Sequence, residues 1–145
     1  MLKDLLKRLS GESAAPLPPE DARIAIAALL VIAAHADHHY HDRERAMIER
    51  VLADRYALDA EAARRLREEG EAAEQAAMDL YKFTSLIKQT IEYEQRTTVL
   101  EALWRVVLSD NDREAHEDAL MRRVTDLLGL DPRESHEARR RVQAS

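Results

Sequence analysis

The chain has 145 residues, 46% of them apolar and 34% charged, with a formal net charge of −6. That is one domain's worth of sequence with a single sizeable core, and its acidity weighs against a nucleic-acid role, which would want a basic stripe. It contains no cysteine, which excludes disulfides, thiolate metal sites and thiol catalysis and fits a reducing, cytoplasmic setting.

The first segment, "MLKDLLKRLS", sets Leu2, Leu5, Leu6 and Leu9 on one face, predicting an amphipathic helix that could dock on the body, the commoner outcome, on a partner or weakly on a membrane. Its charges alternate with leucine too evenly for a secretory signal. "SGESAAPLPP" cannot continue a helix, so residues 1–19 read as a helix plus Pro-rich linker and 20–145 as the helical domain. The next helix should run from about Glu20 to about Ala36 and is apolar all round in "IAIAALLVIAA", the mark of a central helix surrounded by others. This run is shorter than the ~18 residues of a membrane span, so the chain is not read as an integral membrane protein.

After a polar turn, "RERAMIERVLADRYAL" carries Met47, Ile48, Val51, Leu52 and Tyr56 at helical spacing. Asp59 is the expected N-cap of "AEAARRLREEGEAAEQA", a charged helix that Gly70 is expected to bend or interrupt. "AMDLYKFTSLIKQT" brings the stripe Leu80, Phe83, Leu86 and Ile87, and "EQRTTVLEALWRVVLS" brings Val99, Leu100, Leu103, Trp104 and Val107. A second acidic turn leads into "HEDALMRRVTDLLGL", with Gly129 as its C-terminal cap. Asp131 as N-cap and Pro132 at the first helical position start a last helix. The basic run Arg139-Arg140-Arg141 near the end of that helix is expected to complement its dipole. With only 3 glycines and 4 prolines, the expectation is an all-α bundle of about seven or eight helices.

The two polar turns align. "LLVIAAHADHHYHDRERAMIERVLADRYALD" lies over "EALWRVVLSDNDREAHEDALMRRVTDLLGLD", placing Asp37 on Asp110 and Glu44 on Glu117, with Leu58-Asp59 over Leu130-Asp131 after one residue of slippage. Such duplicated helix-turn-helix units commonly pack about an approximate two-fold axis, each burying the face the other cannot cover alone.

In each unit the Asp ends one helix and the Glu opens the next, so both can face the same turn. If the units pack face to face, Asp37, Glu44, Asp110 and Glu117 converge. Four close carboxylates repel and raise their own pKa values unless a cation neutralises them, and all-oxygen ligation suits Ca²⁺ or Mg²⁺. Asp42, Asp112 and Glu114 lie near enough in sequence to add ligands. The same acids also serve as caps and dipole partners, and Glu44 stands three residues after His41 as in a capping box; spacing leaves both readings open. The match to an EF-hand is poor, because its sixth and twelfth positions need Gly and Glu and hold Ala115 and Met121. The histidines offer a rival, Zn²⁺ through His38 and His41, although no HExxH pattern is present. No nucleophile, phosphate loop or oxyanion device accompanies the acids, so no enzymatic activity is expected.

The duplicated acidic turn, the "DLYKFTSLI" segment and "LEALWRVVLSD…E…LMRRVTDLLGL" together resemble the TerB-like family associated with bacterial tellurite resistance, closest to its uncharacterised single-domain branch. The resemblance covers about residues 20 to 135. It implies a compact all-helical bundle with internal pseudo-symmetry, and a divalent-metal site at Asp37, Glu44, Asp110 and Glu117. The family pattern has Gly after each Asp, where this chain has His38 and Asn111. The expectation is a non-catalytic module that binds a divalent cation and acts in a tellurite or metal-stress response, with protein partners at the membrane face. The alternative is a metal-free helical scaffold or adaptor for protein–protein interaction.

Overall fold

The computed structural model describes residues 19–35, 40–77, 79–109 and 115–144, and among them every regular element is an α-helix. In chain order these are α1 (Pro19–His35), α2 (Asp42–Tyr56), α3 (Ala60–Ala77), α4 (Leu80–Thr90), α5 (Tyr93–Leu108), α6 (Ala115–Leu127) and α7 (Pro132–Ala144). The all-α expectation holds, with seven helices among the described residues. The amphipathic segment through Leu9 and most of the linker lie outside the described residues.

From Ile24 to Val31 no residue of α1 is more than 1% exposed. The run with no polar face is therefore the axis of the fold, packed by α2, α3, α4 and α5. Its neighbours supply the stripes read from the sequence. Ile48, Val51 and Leu52 of α2, Phe83, Leu86 and Ile87 of α4, and Val99, Leu100, Leu103, Trp104 and Val107 of α5 join one core, with Met47, Tyr56 and Leu80 half-buried at its edge. Full burial of each such large side chain is worth about 1.5–3 kcal/mol relative to leaving it in water.

α3 runs unbroken through Gly70, so the glycine does not interrupt the helix. The reason is close approach. A Cβ at Gly70 would fall 2.6 Å from Ala27 Cβ and 2.7 Å from the Ala27 carbonyl carbon, so the glycine lets α3 settle on the backbone of α1. Glycine costs a helix interior about 1 kcal/mol relative to alanine, and here that cost is outweighed by packing.

Helix starts and stops follow local chemistry. The Ala62 N–H donates to Asp59 Oδ1 at 2.8 Å and the Arg133 N–H to Asp131 Oδ1 at 2.8 Å, so both predicted N-caps are in place. Glu134 Oε2 accepts from the Asp131 N–H at 2.8 Å, half of a capping box. At the preceding helix ends, Ala57 (φ 53°) and Gly129 (φ 73°) are left-handed. The next residue closes each end in the same way, Leu58 N–H to Ala53 O at 3.1 Å and Leu130 N–H to Thr125 O at 3.0 Å, the six-to-one bond of a Schellman motif. The sequence repeat is thus a repeat of backbone geometry. Each unit also packs its first helix on its third, α1 on α3 and α5 on α7, while α1 packs on α5.

The basic run of α7 departs in part from its expected role. Arg141 occupies the last turn, where a cation suits the dipole, and its Nε also bonds Glu101 Oε1 at 2.9 Å. Arg139 instead stacks over the ring of Trp104, its Cζ 5.4 Å from the ring centroid. Among the described residues no helix is long and apolar enough to cross a membrane.

Candidate functional site

α5 ends at Leu108, and the Ser109 carbonyl beyond it accepts a hydrogen bond from Arg43 Nη2 at 3.0 Å. Arg43 is the second residue of α2, so the start of α2 meets the end of α5. A cation there stabilises the negative end of the α5 dipole. The contact has a topological meaning as well: the residue that leads into the second acidic turn sits beside the helix that leaves the first.

The predicted ligands are placed unequally. Glu44 lies in the first turn of α2, where its Oε2 accepts from the His41 N–H at 3.0 Å. This is the capping geometry that the spacing allows. A carboxylate has two oxygens and about four acceptor sites, so one capping bond does not use it up. Glu117 falls in the first turn of α6, with its side chain outside what is described. Asp37 and Asp110 lie outside the described residues, as do Asp112 and Glu114. Asp42 is fully exposed and pairs with Arg45 at 3.2 Å. Of the rival zinc ligands, His41 is the N-cap residue of α2 and His38 lies outside the described residues. Another member of the cluster, His35, packs its ring 4.4 Å from that of Tyr40. Among the described residues no three His, Asp or Glu side chains are grouped to hold a metal ion.

Beside the first turn stands a polar network that the sequence reading did not find. The Tyr40 hydroxyl donates to Glu71 Oε2 at 2.5 Å, and Arg67 donates to Glu71 at 2.8 Å and to Glu49 at 2.7 Å. Arg45 lies over the Tyr40 ring at 4.5 Å and reaches Glu71 at 3.7 Å. Burial and the bond to Glu71 push the Tyr40 hydroxyl above its ordinary range. Burial pulls the Arg67 guanidinium down, but its bonds to Glu49 and Glu71 prevail and hold it above the ordinary range. The network fastens the chain just after the first turn to α3 and α2. Its only sequence signal was the Arg67/Glu71 spacing, one helical turn apart on a helix rich in such pairs.

The family model described as tellurite resistance protein TerB matches residues 23–140. The chain belongs to the TerB family. The match runs from α1 into α7, so both halves of the repeat and both acidic turns fall within the TerB domain. No curated protein and no solved structure matches the chain.

Proposed function

We propose that this TerB domain is a non-catalytic module that takes up a divalent cation, Ca²⁺ or Mg²⁺, between its two acidic turns, with Asp37, Glu44, Asp110 and Glu117 as ligands. The observation that carries the reading is the Arg43–Ser109 contact, which joins the start of α2 to the end of α5. It brings the described flanks of the two turns together, the condition under which the duplicated acids act as one set. Such a set binds a divalent ion because the ion relieves the mutual repulsion of the carboxylates. Family membership supports a wider role in a tellurite or metal-stress response. In that role the cytoplasmic module would meet protein partners at the membrane face.

The test is calorimetric titration with Ca²⁺, Mg²⁺, Mn²⁺ and Zn²⁺, with a thermal melt at each. A ligand that binds only the folded state adds ~2.7 kcal/mol of stability at a hundredfold excess over its dissociation constant. The expected result is a Ca²⁺ or Mg²⁺ response that the double change Asp37→Asn, Asp110→Asn abolishes. A folded protein whose melt no cation shifts at millimolar concentration would sink the proposal. A response to Zn²⁺ alone, removed by His38→Ala and His41→Ala, would move the site to the histidines.

A second reading, the metal-free scaffold or adaptor, is favoured by the Glu44 cap and the Asp42–Arg45 pair, which serve the helix start by themselves. Glu44→Gln separates the two, because glutamine at this position still caps the helix. Under the cation reading the melt without metal stays put and the cation response weakens. Under the scaffold reading there is no response to lose.

A further inference from the structure

α5, α6 and α7 line a cleft of about 480 Å³, within the ~300–1,000 Å³ typical of small-molecule sites. Its apolar wall includes Trp104, Met121 and Leu130, and its charged rim carries Arg122, Asp126 and Arg139. Two arginines face one aspartate, so the lining holds an excess of positive charge. Arg139 is the unusual member. Its Nε is buried with no hydrogen-bond partner, and its contact is the face of Trp104. Neither arginine forms an ion pair with a described residue, whereas Arg45, Arg64, Arg67, Arg105 and Arg141 all do. Buried donors are normally satisfied. A half-buried guanidinium over an indole, in a cleft with an apolar floor, is the arrangement that receives a planar anion.

The Ser135 hydroxyl adds direction. Its oxygen accepts from Trp104 Nε1 at 3.2 Å, so its own proton is available to donate. We infer that this cleft binds a small organic carboxylate, with its aromatic or short aliphatic body on Trp104, Met121 and Leu130 and its carboxylate at Arg139 and Arg122. The excess of one positive charge matches a monoanion. Its lining shares no residue with the proposed cation ligands, and it needs no metal.

Trp104 is the single tryptophan of the chain, so its indole N–H gives one signal in a ¹⁵N spectrum of the full-length protein. Benzoate and octanoate are titrated against that signal, with benzyl alcohol and octanol as neutral counterparts. The expected result is a saturable shift with at least one acid, at roughly tenfold or greater preference over its neutral counterpart. Arg139→Gln and Arg122→Gln should each weaken the acid roughly tenfold while the variants still melt cooperatively. Should Arg139→Gln fail to fold, Arg122→Gln on the exposed rim decides alone. Neutral compounds binding as tightly as the acids, an unaltered affinity in the folded variants, or no saturable shift with either acid would each overturn the inference, leaving Arg139 as a cover for Trp104 only.

Discussion

Tyr40 shows how one side chain can fasten a turn. Its ring is covered by Arg45 and lies against His35, and its hydroxyl reaches across to Glu71 on α3. Tyr40→Phe keeps the ring and removes the donor, so the expected loss is about 1 kcal/mol in urea unfolding at neutral pH. The pH dependence carries more information. The folded chain holds this phenol above its ordinary 10.0, so below pH 10 both states are protonated and the stabilisation is complete. As pH rises above 10 the unfolded chain ionises while the folded one does not, and the stabilisation is lost. Wild type should therefore lose stability faster than Tyr40→Phe above that pH, and the gap between them should close. A gap that stays constant through pH 11 would contradict the assignment. Nothing in the periodicity marks this network, because Arg67 and Glu71 look like any exposed pair on a charged helix. Only the fold places the Arg67 side chain at 10% exposure between Glu49 and Glu71.

Among elements, the parts read correctly from the sequence are those with a local cause. Asp59 and Asp131 cap their helices because their side chains reach backbone donors two or three residues on. Gly129 ends α6 because it tolerates a left-handed φ, and at the matching point of the first unit Ala57 takes that conformation without glycine's freedom. The interruption expected at Gly70 is absent for the opposite reason: the cause of this glycine lies on another helix. Local propensity predicts that Gly70→Ala stabilises α3 by about 1 kcal/mol. The structure predicts the reverse. The added methyl would lie 2.6–2.9 Å from Ala27 and the backbone nitrogen of Ala28, and backbone cannot rotate away. α3 must back off α1, at a net cost of about 2 kcal/mol. Urea unfolding of the variant gives the sign directly, and a higher midpoint than wild type would refute the close packing of these two helices.

At the scale of the molecule, the candidate site was visible only as a pattern: acids recurring at one spacing in two turns. The distance between those turns depends on how the two units pack, and the Arg43–Ser109 bond that joins their flanks spans 66 positions of chain. The same packing decides whether either unit can exist alone. α1 belongs by sequence to the first unit, yet it is covered by α4 and α5 as well as by α2 and α3. A fragment of residues 19–78 would leave much of the Ile24–Val31 run in water. At about 60 residues it would also bury only about 60% of its chain surface even if it folded well. It should show no cooperative melt by circular dichroism and a collapsed range of amide shifts. Mixing it with residues 79–145 should restore a single transition, because α4 and α5 supply the missing faces of one shared core. A sharp, reversible melt of the first fragment alone would mean that the units are independent domains, and the central role of α1 would fall with that result.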